Sequence, residues 1–95
     1  MAEYGTGCLV RSLAGHDKGS LFIIIKEDAE YVYLADGMSR KAGKPKRKKK
    51  KHVQISRIRD EKLSEKLMSG NIVPDEEIRF FIRCYKETIQ KNPGR

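Results

Sequence analysis

The chain has no tryptophan, two cysteines, two histidines and no apolar run longer than five residues. A run of five falls far short of the roughly 20 residues that a helix needs to cross a bilayer. The opening MAEYGTG also lacks the basic and apolar regions of a secretion leader. A cytoplasmic protein with no membrane partner is the expectation. In that setting Cys8 and Cys84 should be reduced, and buried or half-buried, rather than bridged. Together with His16 and His52 they make a poor zinc set, because metal modules bring their ligands in close pairs. There is no GxxxxGK[ST] phosphate loop. No Ser or Cys sits near His16 in a triad-like text, and the acids are scattered. The expectation is a non-enzyme with no cofactor. The scarcity of aromatics, seven in all, means that a small core must use several of them.

Cations are what the chain has in excess. Lys and Arg number 21 against 13 Asp and Glu, a formal net charge of +8. Nine of the 21 fall within the twelve residues Arg40–Lys51, RKAGKPKRKKKK, which contain no acid. Everything outside this tract is therefore close to neutral. Like charges at that density repel one another unless a polyanion is near, and a phosphate backbone is the commonest such partner.

Ninety-five residues fit one small domain. Residues 1–6 read as a loose start. From Gly7 the text is strand-like: GCLVRSLAG, a polar turn HDKG, then SLFIIIKED. Leu21–Ile25 is rich in β-branched residues and too short for a typical helix, which predicts a strand covered on both faces. Asp28-Ala29-Glu30 leads tightly into YVYLAD, where Tyr31, Tyr33 and Ala35 share one face and Val32 and Leu34 the other. The two tyrosines are candidates for base stacking, although so small a core needs aromatics and Tyr33 is the one expected there. Asp36-Gly37 signals a turn. The basic tract is expected as an extended loop over residues 37–52, with Gly43 and Pro45 opposing regular structure. HVQIS then resumes strand alternation. Residues 60–69 predict a short helix that ends at Gly70-Asn71. Pro74 and the acids Asp75, Glu76 and Glu77 open a second one. Ile78, Phe81, Ile82, Tyr85 and Ile89 form its apolar stripe, flanked by Phe80 and Cys84, and Asn92-Pro93-Gly94 should end it. Arg79, Arg83 and Lys86 fall towards its other side. The layout is mainly β: a barrel over residues 1–58, followed by a helical extension over 59–95 that docks on it.

The phrase AGHDKGSLFIII, within CLVRSLAGHDKGSLFIIIKEDAEYVYLADG, resembles a KOW motif, a strand-loop-strand RNA-binding element with glycine at a fixed place in its loop. The order that follows, ADG, a lysine-rich loop, then KH and an apolar pair, is similar to large-subunit ribosomal proteins of the fourteen-e type and their six-e and twenty-seven-e relatives. The likeness covers about residues 5–56. The tail with DEEIR looks more weakly like small stand-alone bacterial KOW proteins. The resemblance implies an SH3-like barrel that binds RNA without catalysis.

The residues admit the same reading. Gly15 and Gly19 bracket His16, Asp17 and Lys18, so the backbone there can adopt positive φ or approach a ligand closely. Lys18 can reach a phosphate, while Asp17 is expected to brace the turn through its own backbone bonds. The candidate RNA contacts are Arg11, Gly15, His16, Lys18 and Gly19 at the turn. In the tract they are Arg40, Lys41, Lys44, Lys46, Arg47, Lys48, Lys49, Lys50 and Lys51. His52 joins them through stacking or phosphate contact. Ribosomal RNA is the expected partner, with the large ribosomal subunit as its setting. A basic DNA-binding or nucleoid protein, and a protein-interaction module with a basic tract, are the alternatives. Charge alone does not separate RNA from DNA.

Overall fold

The computed structural model describes residues 5–91, with the side chains of Arg57 and of residues 87–91 left aside. Five strands come first: β1 (Cys8–Ser12), β2 (Leu21–Glu27), β3 (Tyr31–Ala35), β4 (Lys46–Lys49) and β5 (Val53–Arg59). A single 3-10 turn, Lys50–His52, separates β4 from β5, and two helices follow, α1 (Glu61–Met68) and α2 (Asp75–Lys91). The strands form one antiparallel sheet in the order β4-β3-β2-β1-β5. Register shifts between Cys8 and Val10 and between Ile24 and Lys26 mark irregularities of the kind that bend strands. The sheet curls into a half-barrel, the expected small mainly-β architecture with a helical tail.

The alternation of β side chains divides the core in two. Val10, Phe22, Ile24, Val32, Leu34 and Val53 come from strands alone and fill the concave side. Leu9, Ile23 and Ala35 point the other way, against Leu63, Val73, Ile78 and Ile82 of the helical segment. Ile23 and Ile24 are both fully buried, so the apolar run of β2 is covered on both faces as its composition predicts. Burying an aliphatic side chain of this size stabilises the fold by roughly 1.5–3 kcal/mol.

Helix α1 begins at Asp60, whose side chain accepts the Leu63 amide at 3.1 Å. Pro74 lies just before α2, and three acids occupy the first turn. Ile78 and Ile82 of the stripe are buried and Phe81 and Tyr85 partly so, whereas Phe80 is 62% exposed. The end signal Asn92-Pro93-Gly94 lies outside the described residues.

Four expectations need correction. Gly5 and Thr6 do not belong to a loose start: Glu27 Oε2 accepts both amides and the Thr6 hydroxyl at 3.0–3.2 Å. Tyr33 is not a core residue; its ring is half-buried, because only the even positions of β3, Val32 and Leu34, face the concave side. Cys84 is exposed rather than half-buried, while Cys8 is buried, and the two are not bridged.

The largest correction concerns the basic tract, where residues 46–49 form a strand instead of a loop. β4 pairs with β3 in the register Leu34↔Lys46, Val32↔Lys48. An edge strand is where a lysine-rich sequence is tolerated, since it blocks pairing with further strands. Gly43 and Pro45 lie before the strand and so do not interrupt it, and the repulsion among its lysines is relieved by acids from elsewhere in the chain. The preceding loop is also held. Ala42 donates its amide to Asp75 Oδ1 at 2.7 Å, and Arg79 donates to the Gly37 carbonyl at 2.7 Å.

Candidate nucleic-acid interface

The β1–β2 turn is built on two left-handed glycines, Gly15 (φ 86°) and Gly19 (φ 91°). Gly19 donates its amide to Ser12 O at 2.8 Å and Ser20 donates to Asp17 O at 2.9 Å, closing a tight knob. Among the described residues, no hydrogen bond engages the amides of Gly15, His16 or Asp17. His16 and Lys18 are exposed at the tip.

Asp17 braces this knob through its backbone carbonyl, which accepts Ser20 as above, and also through its side chain, which reaches β4. Its Oδ1 accepts the Ser12 hydroxyl at 2.8 Å and Lys48 Nζ at 3.2 Å, and its Oδ2 accepts Lys46 Nζ at 2.7 Å. Lys48 also donates to Ala14 O at 3.0 Å. Burial alone would raise the Asp17 carboxyl. Hydrogen bonds from Lys46, Ser12 and Lys48 outweigh it and hold the group well below the usual carboxylate range. Lys48 is 9% exposed, so this cation is a structural clamp between β4 and the turn.

The tract thus divides with the period of a strand. Lys46 and Lys48 turn towards Asp17, and Lys50 pairs with Glu27 at 3.5 Å. Arg47, Lys49 and Lys51 are exposed, as are Arg40, Lys41 and Lys44 of the preceding loop. Of nine cations, three are tied to acids and six face solvent. His52 is half-buried, and its carbonyl accepts the Leu13 amide at 2.9 Å. The structure therefore brings Arg11, Gly15, His16, Lys18, Gly19, Lys46 and Lys48 around one turn. Arg40, Lys41 and Lys44 lie on the loop fastened to α2.

The outward face of β2, β3 and β4 pairs cations with rings. Arg47 lies over the Tyr31 ring at 4.6 Å and Lys26 over Tyr33 at 4.9 Å. Asp28 Oδ2 accepts the Tyr33 hydroxyl at 3.0 Å, a bond that raises the phenol pKa. The Tyr31 amide bonds the same carboxylate and is the first cause of its lowered pKa. Arg11, exposed on β1, donates Nη1 to the Gly19 carbonyl at 3.2 Å and so flanks the turn on its other side.

Burial pushes the Cys8 thiol up, partly countered by Arg59. Among the described residues, no group of three or more His, Cys, Asp or Glu is placed to hold a metal ion, and no helix is long and apolar enough to cross a membrane. No protein-family model matches the chain, and no curated protein matches it significantly.

Sequence reasoning missed the clamp made by Asp17. Its partners lie 29 and 31 residues away, and the period-two signal of Lys46, Lys48 and Lys50 is hidden in an unbroken run of lysines.

Proposed function

We propose that this chain is a non-catalytic RNA-binding protein, acting on ribosomal RNA or elsewhere in translation, with the large ribosomal subunit as its setting. The observation that carries the reading is the sorting of the tract: three cations are tied to acids of the fold, and six stay exposed on β4, the 3-10 turn after it and the loop before it. Cations left in water with no acid among them are suited to replace the counterions of a phosphate backbone. The turn adds rigid donors, the amides of Gly15, His16 and Asp17 with Lys18 beside them, of a type that receives phosphate oxygens. Arg47 and Tyr31 provide flat surfaces on which an unpaired base can stack. The resemblance of residues 5–56 to KOW proteins supports the same assignment, and supports RNA over DNA.

In this mechanism the exposed cations supply affinity along the backbone, and the Gly15–Gly19 knob supplies selectivity for a folded RNA. Competition between matched RNA and DNA duplexes is the test. Preference for RNA is expected, because the 2′-hydroxyl and A-form groove are what distinguish the two. Equal binding would favour a DNA-binding or nucleoid protein, and no binding to either at low salt would favour a protein-interaction module.

A further inference from the structure

An open cleft of about 620 Å³ lies beside the turn, between the start of β2 and helix α2. Its rim carries Arg11 from β1 and Arg83 and Lys86 from α2. All three are exposed, and among the described residues only Arg11 has a partner, the Gly19 carbonyl. Leu21, Ile82 and Met38 form its apolar part; Ile82 is 6% exposed and Met38 66%. A fourth cation, Arg79, is anchored on the Gly37 carbonyl. The one acid in the lining, Asp36, already accepts the amides of Met38 and Arg40 through Oδ1, at 2.8 and 2.9 Å.

An apolar floor beneath a cationic rim suits a nucleotide more than a bare anion. The floor takes the face of an unstacked base, and the rim takes the phosphates on either side. Duplex RNA offers no free base face, so only an unpaired segment uses both parts. Gly19 lines the cleft and closes the turn, which makes the two surfaces continuous.

We propose that this cleft holds a single-stranded segment of the bound RNA, running from the Gly15–Gly19 turn across Arg11 to Arg83 and Lys86. Helix α2 is then part of the binding surface as well as a cover for the sheet. The inference rests on the RNA-binding reading above and adds a second site and a strand preference to it.

The test compares wild-type protein with the double variant Arg83→Gln/Lys86→Gln. Both positions are exposed, where substitutions usually shift stability by no more than about 0.5 kcal/mol. Affinity for polyuridine and for a short blunt RNA duplex is measured across a salt series. The variant should lose affinity for polyuridine, with its salt slope reduced by roughly 1.4, the contribution of two single-strand phosphate contacts. Its duplex affinity should stay near wild type. Unchanged polyuridine binding, or equal losses on both RNAs, overturns the cleft while leaving RNA binding in place. Failure of the wild-type protein to bind either RNA overturns both readings. Binding of an acidic peptide that competes fully with polyuridine would make the cleft a protein site instead.

Discussion

Asp17 shows how one carboxylate decides what a cationic tract does. It pairs with Lys46 and Lys48, ties β4 to the β1–β2 turn, and leaves the alternate residues to face outwards. Asp17→Asn keeps the shape but strands two lysines, one of them nearly buried. A loss of about 2–3 kcal/mol is expected from the weakened charged hydrogen bonds, read as a lower midpoint in denaturant unfolding. Because the folded-state pKa lies below the unfolded value of about 3.9, the stabilisation is fully present above that pH. It is lost progressively as the pH falls below about 4. The wild-type protein should therefore lose stability on acidification through that range more steeply than Asp17→Asn. Parallel curves would show that the clamp contributes nothing.

Glycines separate fold from binding at the same scale. A Cβ on Gly37, at φ 78°, would meet the Asp75 carbonyl oxygen at 2.5 Å, whereas on Gly19 it would meet nothing within 4 Å. Gly37→Ala combines a backbone clash with strain and should cost well over 1 kcal/mol; Gly19→Ala carries mainly the left-handed penalty of about 1–2 kcal/mol. Gly19→Ala should therefore remain folded while losing selectivity for structured RNA. Retained selectivity, measured by competition with unstructured RNA, would remove the turn from the site.

At the scale of the element, β4 is a strand with two jobs divided between its faces. Substituting Arg47, Lys49 and Lys51 by Gln should flatten the dependence of log affinity on log salt by roughly 2–3, at about 0.7–0.9 for each phosphate contact. Lys46→Met/Lys48→Met should change that slope much less and lower the unfolding midpoint instead, since it strips both lysine partners from Asp17. Equal slope changes in the two variants would mean that the faces are not distinct. β2 and α2 were legible in the sequence because their signals are local: five apolar residues in a row, and a stripe at spacings of three and four. β4 was not legible. A run of lysines has no apolar alternation to reveal its period, and what permits the strand is an aspartate nearly 30 residues earlier. Tyr33 was misplaced for a related reason. Alternation correctly put Tyr31 and Tyr33 on one face, but which face is buried depends on the curl of the sheet and on where the helices lie. The turn glycines and Arg11 were recognisable as candidates, while their relation to the cleft along α2 depends on how the helices dock.

For the whole molecule, the division of labour follows from covering one small sheet on both sides. The concave side holds an all-strand core, the helices cover the opposite face around Ile23, and the charged edge and turn remain for a partner. Binding through such an edge is electrostatic first, so its dependence on ionic strength is the property that distinguishes it. The most direct measurement is the affinity of the intact chain for purified ribosomal RNA over a salt series. With six exposed tract cations on phosphates, log affinity should fall against log salt with a slope of at least about −4 to −5, steeper where the cleft also engages. A slope near zero, or no binding at low salt, would contradict the assignment of the tract to a phosphate backbone.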